Sequence, residues 1–395
     1  MLLAAVLEPA GPGEEVEVSV ASRSIALELH GWARLAGHAV VDDRGDGPRR
    51  LVRVRRGGSR RVLAGPLPPP GPGARLRSGE FHTTDWRAGA APAPDEADPA
   101  DGFVPLAAVA EQGAPAFQWT LSRRDQVWAD DVARLVEGAS GAQWDASRDV
   151  PWREAAGLPD HLERAVCQVM AYLAQNEYAA YYVPARFLGQ VHPAYAEVLL
   201  WLASHVHDEA RHVEVFTKRS LVNGGRAYAL ASTQRSLHAL LRERDFTSAA
   251  LLLNVLGEGS FLDLLEFVAA HAPDAATATA ARLAHRDELR HVRFGLSHVR
   301  RALTRDPSVE TRLVAAVEAR SGQLTGMTGL DPLVTESLTL MAAGSLQAAQ
   351  VAEGARAVRD LLARMAANRV ERLRAAGLGE RTARYVSDLH TPNLM

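Results

Sequence analysis

A six-residue motif occurs twice in the chain, and it is the feature that most restricts the fold. The motif reads DEARHV from Asp208 to Val213 and DELRHV from Asp287 to Val292, so five of its six positions are identical. In each copy the glutamate and the histidine are three residues apart, which places both side chains on the same face of a helix. The repeat therefore predicts two helices that each offer one carboxylate and one imidazole to a common point, as half of a dinuclear metal site.

Two further glutamates have the spacing that such a site requires. Glu177 precedes Glu209 by 32 residues and Glu258 precedes Glu288 by 30, so both halves of the chain repeat one layout. Glu266 is a weaker candidate for the fourth carboxylate, because its separation of 22 residues from Glu288 breaks this symmetry. The predicted metal ligands are Glu177, Glu209, His212, Glu258, Glu288 and His291.

The charge of these residues predicts which metals they bind. Four carboxylates that meet in an apolar helix bundle are very costly without cations, whereas two divalent ions cancel their charge. Oxygen-rich ligation with two imidazoles suits iron or manganese, and Cys167 is the single cysteine of the chain, so no multi-thiolate site can form. We therefore predict two iron ions, with a manganese and iron pair as the second choice.

An aspartate and an arginine accompany each histidine. Asp208 lies four residues before His212, and Asp287 lies four residues before His291. Each aspartate is therefore predicted to accept the imidazole proton of its own motif that faces away from the metal. Arg211 and Arg290 are predicted to neutralise these aspartates. A single such motif would favour an exposed charged helix, but the repeat and the two upstream glutamates favour the metal site.

Other residues near the motifs leave alternatives open. Gly257 and Gly259 flank Glu258, where each lowers helix stability, and this pattern indicates either a tight helix crossing or a π-bulge. Among the neighbouring histidines, His285 is a candidate extra ligand, while a packing or solvent role is favoured for all three: His205, His207 and His285.

The rest of the chain divides into three predicted parts. Residues 1–65 alternate in a manner typical of strands, including a strand at Ile25–Leu29 and a hairpin of Leu51–Arg56 with Arg60–Leu63. Residues 66–102 are a linker rich in proline and alanine with a short ordered piece, and residues 103–395 are helical. The predicted helices are Pro159–Val183, Pro193–Arg219, Phe246–Ala272, Asp274–Thr304, Pro332–Ala352 and Gly354–Ala376.

Composition excludes some partners. The 44 basic and 47 acidic residues give a net charge of -3, so no general basic field exists for nucleic acid. Apolar runs such as Ala249–Leu253 are far too short for a membrane span, and we expect a cytoplasmic protein. The arginines of Arg49–Arg61 form a basic patch that either docks an acidic electron donor or is a solvated face.

The motifs indicate a family. The sequence Gly257-Glu258-x-x-Phe261, followed by the second motif and preceded by NEYAA at Asn176–Ala180, resembles the hydroxylase subunit of soluble methane and toluene monooxygenases. More broadly, it resembles the ferritin-like di-iron carboxylate oxygenase superfamily, over about Gln143–Thr304. The resemblance implies a mainly α fold: a ferritin-like four-helix bundle with extra C-terminal helices, here preceded by a small β-rich domain.

Three departures from related families narrow the chemistry. The threonine that follows the third-helix glutamate by one turn in the methane and toluene enzymes is Leu262 here. The radical tyrosine of ribonucleotide reductase small subunits is replaced by Phe216. A rubredoxin-like site, as in rubrerythrins, cannot be built from one cysteine.

The resemblance implies that two ferrous ions activate dioxygen to hydroxylate, desaturate or N-oxygenate a small organic substrate, with electrons from a ferredoxin or reductase. Four side chains lie one turn from predicted ligands and are either walls of an apolar pocket or ordinary bundle core: Tyr181, Phe216, Phe261 and Leu262. Of these, Tyr181 is the candidate proton donor of catalytic importance. The alternatives are an oxidase similar to ribonucleotide reductase small subunits or to manganese/iron ligand-binding oxidases, and a non-enzymatic iron-binding protein. A homodimer is left open.

Overall fold

The computed structural model describes residues 7, 9–45, 49–57, 79–89, 92–106, 108, 116–155, 157–225, 231–323 and 332–390. The chain forms two compact units, and among these residues the first unit ends at Gly57 and the second begins at Gly79. The protein is mainly helical, with one small antiparallel sheet in the first unit.

The first unit is a three-stranded sheet covered by one helix. Strands β1 (Glu15–Val20), β2 (Ala39–Arg44) and β3 (Arg50–Arg55) are antiparallel in the order β1-β3-β2, and helix α1 spans Arg23–Leu35. A small separate core contains Val20, Ala26, Leu29, Ala33, Val52 and Val54.

The predicted strand at Ile25–Leu29 is wrong, because these residues belong to helix α1. The Ser22 hydroxyl accepts a hydrogen bond from the Ile25 N–H and caps the helix. Ile25 and Leu27 are exposed, while the buried residues Ala26, Leu29 and Ala33 follow helical spacing. The alternation that indicated a strand is therefore a coincidence within an amphipathic helix.

The structure describes only the first strand of the predicted hairpin. Strand β3 lies between β1 and β2 and pairs with both, whereas Arg60–Leu63 lie outside the described residues. Arginines of the basic patch face acidic residues of the neighbouring strands, since Arg50 pairs with Asp43 at 2.7 Å and Arg55 with Glu15 at 2.8 Å.

The second unit is built from helices. Two short helices, α2 (Trp86–Gly89) and α3 (Arg124–Val127), precede α4 (Val132–Gly141), α5 (Asp160–Leu188), α6 (Ala196–Leu221) and α7 (Ala231–Arg242). Helix α8 begins as Phe246–Ala250, continues as a π-helix over Leu251–Glu258 and ends as Gly259–Ala270. It is followed by α9 (Ala275–Arg305), α10 (Val309–Gln323), α11 (Pro332–Ala343), α12 (Ala348–Ala375) and α13 (Glu380–Leu389).

Local sequence explains where these helices begin and end. Asp245 and Asp274 cap α8 and α9 by accepting hydrogen bonds from the N–H groups of Ser248 and Thr277. The C-terminal helices differ from the prediction, because Gly344 adopts a positive φ of 67° and ends α11 at Ala343 rather than Ala352.

Helices α5, α6, α8 and α9 are the four long helices that the sequence predicts. Helix α5 packs along α6, and α8 packs along α9, with further contacts between α6 and α9. Their shared core is apolar and includes Met170, Trp201, Phe216, Phe261 and Phe294. Every helix in the described ranges is too short or too polar to span a lipid bilayer.

Gly295 is required where α9 crosses α8. A Cβ atom at this position would lie 2.5 Å from Asn254 Cβ and 3.2 Å from Val255 Cγ2. We expect Gly295→Ala to lower the free energy of unfolding by about 1–3 kcal/mol through overpacking, although alanine is the better helix former. Urea denaturation measures this effect.

The control is Gly138→Ala on α4. The nearest atom to a Cβ there is Arg290 Cδ at 3.9 Å, so we expect stabilisation by about 0.5–1 kcal/mol from helix propensity alone. A Gly295→Ala protein as stable as the native one would show that the two helices are not closely packed at this crossing.

Candidate metal centre

Four helices bring the six predicted ligands together. Glu177 projects from α5, Glu209 and His212 from α6, Glu258 from the π-helical part of α8, and Glu288 and His291 from α9. All six residues are at most 1% exposed. The three-residue spacing within each motif places a carboxylate and an imidazole on the inward face of its helix, as the sequence predicts.

These side chains form two groups that can each hold a metal ion. The first group, termed the first position, contains Glu177, Glu209, His212 and Glu288. The second group, termed the second position, contains His205, Glu209, Glu258 and His291. Within each group one ligand atom from every residue lies within 4.8 Å of the others, and Glu209 belongs to both groups.

The histidines present the same nitrogen to both positions. His212 Nδ1 lies 3.2 Å from Glu209 Oε2 and 3.4 Å from Glu288 Oε1. His291 Nδ1 lies 2.9 Å from Glu209 Oε1 and 3.2 Å from Glu288 Oε2. In both rings Nδ1 therefore faces the carboxylates, and Nε2 faces away from them.

The carboxylates have the electrostatics of a site built for cations. Burial raises the pKa of Glu177 well above its ordinary value, and the neighbouring Glu209 and Glu288 raise it further. Burial would also raise the pKa of Glu209, but the adjacent histidines, chiefly His212, hold it well below its ordinary value. Burial would lower the pKa of His212, but the charge of Glu209 holds it well above its ordinary value. Without a metal, protons must balance these charges.

Several buried carboxylate oxygens of the site have no hydrogen-bond partner in the described part of the chain, as expected of atoms that coordinate a metal ion. Both carboxylate oxygens of Glu177 are buried without a hydrogen-bond partner among the described residues, and so is Glu288 Oε1. Buried polar atoms rarely remain unpartnered in proteins. Carboxylate oxygens and imidazole nitrogens are ligands that iron and manganese accept, so the residues fit two such ions.

The aspartates hold the histidines differently from the prediction. Asp287 Oδ2 lies 3.4 Å from Nε2 of His212, and Asp208 Oδ2 lies 3.3 Å from Nε2 of His291. Each aspartate therefore supports the histidine of the other motif, and not the one on its own helix. The pairing crosses because the outward Nε2 of each ring points toward the facing helix.

The arginines connect this crossed pair. Arg290 Nη2 donates to Asp287 Oδ1 at 2.6 Å and to Asp208 Oδ2 at 3.0 Å. Arg211 Nη2 donates to Asp208 and, at 3.1 Å, to Asp287 Oδ2. The two guanidinium groups neutralise two aspartates that are fully buried, so the cross-helix network carries no net charge of its own.

Trp144 is part of this network, and the sequence analysis did not identify it. Its indole N–H donates to Asp287 Oδ2 at 2.6 Å, and the Arg211 guanidinium lies 4.8 Å from the centre of its ring. No helical spacing links Trp144 to the motifs, so the sequence carries no signal for it. Its neighbour Gln143 also accepts a hydrogen bond from Arg211, through Oε1.

Trp144→Phe is expected to weaken metal binding at the first position by about 10- to 100-fold, because it removes a hydrogen bond from the aspartate that orients His212. Anaerobic titration of the metal-free protein with Fe(II) measures the affinity. Trp152→Phe is the control, since the Trp152 indole donates to Ala146 O, outside the site. Equal effects of the two substitutions would contradict this role.

The predicted pocket residues have mixed outcomes. Phe216 is buried beside His212, with ring centres 6.3 Å apart, and Phe261 is buried within the core. Leu262 is only partly buried. Tyr181 is half-buried and its ring lies 5.3 Å from that of the exposed Tyr182, so its role as a proton donor stays a prediction.

The cavity beside the site has other walls. It borders the second position, has a volume of about 20 Å³ and is lined by His205, Asn254 and apolar residues such as Phe187, Leu253 and Phe294. A water molecule needs about 10–15 Å³, so this cavity has room for one or two waters or for dioxygen. Phe216, Phe261 and Leu262 do not line this cavity, which lies on the His205 side, so an apolar pocket at those three residues stays a prediction.

The structure distinguishes the two candidates for the fourth carboxylate and the three histidines near the motifs. Glu266 is exposed, whereas Glu258 is buried in the second position. Among the neighbouring histidines His285 is half-buried outside both groups and His207 is exposed, while His205, for which a packing role was favoured, lies within the second position.

The glycines beside Glu258 are associated with both predicted features, a π-helical turn and a close helix contact. Gly257 lies in the π-helical stretch Leu251–Glu258, and the wider turn of a π-helix is common at functional positions. Gly259 lies against Arg372 of α12, because a Cβ atom there would be 2.6 Å from Arg372 Nε.

The chain was compared with protein families, curated proteins and solved structures. No protein-family model matches this chain, and no curated protein matches it. Among solved structures, the chain is similar to a variant of an R2-like ligand-binding oxidase with an aerobically reconstituted Mn/Fe cofactor, at 18% identity and a TM-score of 0.49, over 63% of this chain and 94% of the other. A variant with an Fe/Fe cofactor is similar at 18% identity and a TM-score of 0.48, over 64% and 95%.

In the structure of this chain, two buried carboxylate and histidine groups share one glutamate between four helices. As the motifs predict, these groups form a site that can bind two metal ions.

Proposed function

We propose that this protein is a dioxygen-activating oxidoreductase with a di-iron centre, which oxidises a small organic substrate with electrons from an external donor. The observation that carries the proposal is the pair of buried ligand groups that share Glu209 and border a cavity large enough for dioxygen. When bound, two ferrous ions would supply the electrons that reduce dioxygen. A manganese and iron pair is the alternative metal content, because the same ligands suit manganese.

The residues of the chain have defined tasks in this proposal. Glu209 and the two motif histidines would hold the ions, and the crossed aspartates fix the histidines with Nδ1 toward the carboxylates. The apolar walls formed by Phe187, Leu253 and Phe294 keep bulk water out of the space beside the second position. Exclusion of water protects a reactive oxidant from side reactions.

The electrons must come from outside the chain. The single cysteine, Cys167, is buried and its thiol lies 3.3 Å from Ser220 O, so the protein cannot hold an iron–sulfur cluster. Incorporation of one oxygen atom into a substrate, with release of the other as water, requires two electrons and two protons. A ferredoxin or flavin reductase is the class of partner that supplies them.

The alternative functions differ in observable ways. An oxidase that stores a tyrosyl radical next to its first histidine is disfavoured, because Phe216 occupies that place. A storage protein would take up many iron ions per chain, whereas the two ligand groups account for two.

The experiment is single-turnover oxygen consumption by the reduced, iron-loaded protein. We expect consumption of about one dioxygen per pair of ions, and none in Glu258→Ala or in the metal-free protein. Glu266→Ala, which changes an exposed glutamate of the same helix, is the control and should behave as the native protein. Iron uptake far above two ions per chain without coupled oxygen chemistry would contradict the proposal.

A further inference from the structure

We infer that His205 is a seventh metal ligand, so that the two metal positions have different ligand sets. The second position then has two imidazoles and two carboxylates, from His205, His291, Glu209 and Glu258, whereas the first has one imidazole and three carboxylates. The inference rests on the proposed di-metal function and adds an asymmetry that the twin motifs do not contain.

The geometry of His205 is that of a ligand. It lies one turn before Glu209 on α6 and is 2% exposed. Its Nε2 is 3.0 Å from Glu258 Oε1 and 3.3 Å from Glu209 Oε1. Its ring stacks on that of His291 with centres 3.8 Å apart, and His291 Nδ1 is 2.9 Å from the same Glu209 oxygen. Two imidazole nitrogens and two carboxylates therefore surround one point.

A supporting role for His205 agrees less well with these contacts. The groups that support ligands in this site approach them from outside: Asp208 and Asp287 contact the outward Nε2 atoms, and Asn254 Nδ2 donates to Glu258 Oε2 at 2.7 Å. His205 instead contacts the other Glu258 oxygen, Oε1, together with the oxygen of Glu209 that faces His291. His205 Nε2 therefore lies on the inner side of these two carboxylates, as His291 Nδ1 does.

The first position has no counterpart to His205. The residue four places before Glu288 in the second motif is Ala284, which corresponds to His205 by the repeat and is fully buried. A methyl group cannot coordinate a metal, so the repeat is broken at this pair. Imidazole ligands suit Fe(II), whereas carboxylate-rich sites suit Mn(II). We therefore expect the second position to bind Fe(II) more tightly than the first.

The test is anaerobic titration of the metal-free full-length protein with Fe(II), followed by Mössbauer spectroscopy of the iron-57 form. We expect two ions per chain in the native protein, with different affinities and two distinct ferrous quadrupole doublets. His205→Ala should weaken only one of the two sites, by at least about tenfold, and shift only one doublet. Added imidazole should restore that doublet in His205→Gly, which leaves space for the free ring.

Two further variants separate a ligand from a hydrogen-bonding or packing residue. His205→Gln keeps a side-chain N–H that can reach Glu258, so a hydrogen-bonding role predicts native behaviour, whereas a ligand role predicts the weak site. His207→Ala changes an exposed histidine of the same helix and is expected to retain both affinities and both doublets.

The outcomes are distinct. Two ions per chain with native affinities and unchanged doublets in both His205→Ala and His205→Gln would overturn the inference and leave the proposed function intact. A native protein that binds no pair of ions would overturn both.

Discussion

Glu209→Ala is expected to abolish both metal positions, whereas Glu177→Ala removes only the first. Glu209 is the one residue shared by the two groups: its Oε2 faces His212 in the first position and its Oε1 faces His291 in the second. Glu177 belongs to the first group alone. We therefore expect bound iron to fall from two ions per chain to none in Glu209→Ala, and to one in Glu177→Ala.

Iron per chain, measured after equilibration with excess Fe(II) and removal of unbound metal, tests this difference. Loss of Glu209 also removes the carboxylate that neutralises three surrounding imidazoles, so the fold of each variant is checked by circular dichroism. Glu214→Ala, on the same helix and exposed, is the control and should bind two ions. One ion retained in Glu209→Ala would show that the two positions do not share this ligand.

Arg219→Leu is expected to cause the largest loss of stability outside the metal centre. Arg219 is fully buried and joins three helices: Nη1 donates to Glu163 Oε1 of α5 at 2.8 Å, Nη2 to the cap residue Asp274 of α9 at 2.8 Å, and Nε to Thr277 at 2.7 Å. Removal of the guanidinium leaves two carboxylates without their cation. We expect the free energy of unfolding to fall by about 3–5 kcal/mol.

Urea denaturation of the metal-free protein measures this loss without a contribution from bound ions. The matched control is Arg312→Leu, because Arg312 is exposed and pairs with Asp245 at 3.5 Å, a surface interaction worth about 0–1 kcal/mol. A loss below about 1 kcal/mol in Arg219→Leu would show that the buried network does not hold these helices together.

Sequence alone predicts the chemistry of the site because metal ligation follows helical spacing. Glu and His three residues apart must share a helix face, and the repeated separations identify Glu177 and Glu258 without a structure. His205 is different, because one turn before a ligand is an ordinary core position, and only packing against α8 brings Nε2 to Glu258. The crossed aspartates are equally hidden, because spacing within one helix says nothing about the facing helix.

The first unit shows where periodicity fails. Ile25, Leu27 and Leu29 alternate as a strand would, but Ala26 and Ala33 form the buried stripe of a helix with Leu29. Small alanines give a weak hydrophobic signal, so the larger side chains on the exposed side dominate the pattern. The cavity at His205 is not predicted from the sequence for a related reason: it is lined by side chains from α5, α6, α8 and α9 together, and spacing within one helix does not reveal such a space.

We propose that this chain holds a coupled pair of metal ions on the six predicted ligands. Mössbauer spectroscopy of the protein reconstituted with iron-57 and exposed to air tests it most directly. We predict two antiferromagnetically coupled ferric ions per chain, which are lost in Glu209→Ala. Isolated, uncoupled iron, or the same spectrum in native protein and Glu209→Ala, would contradict the account.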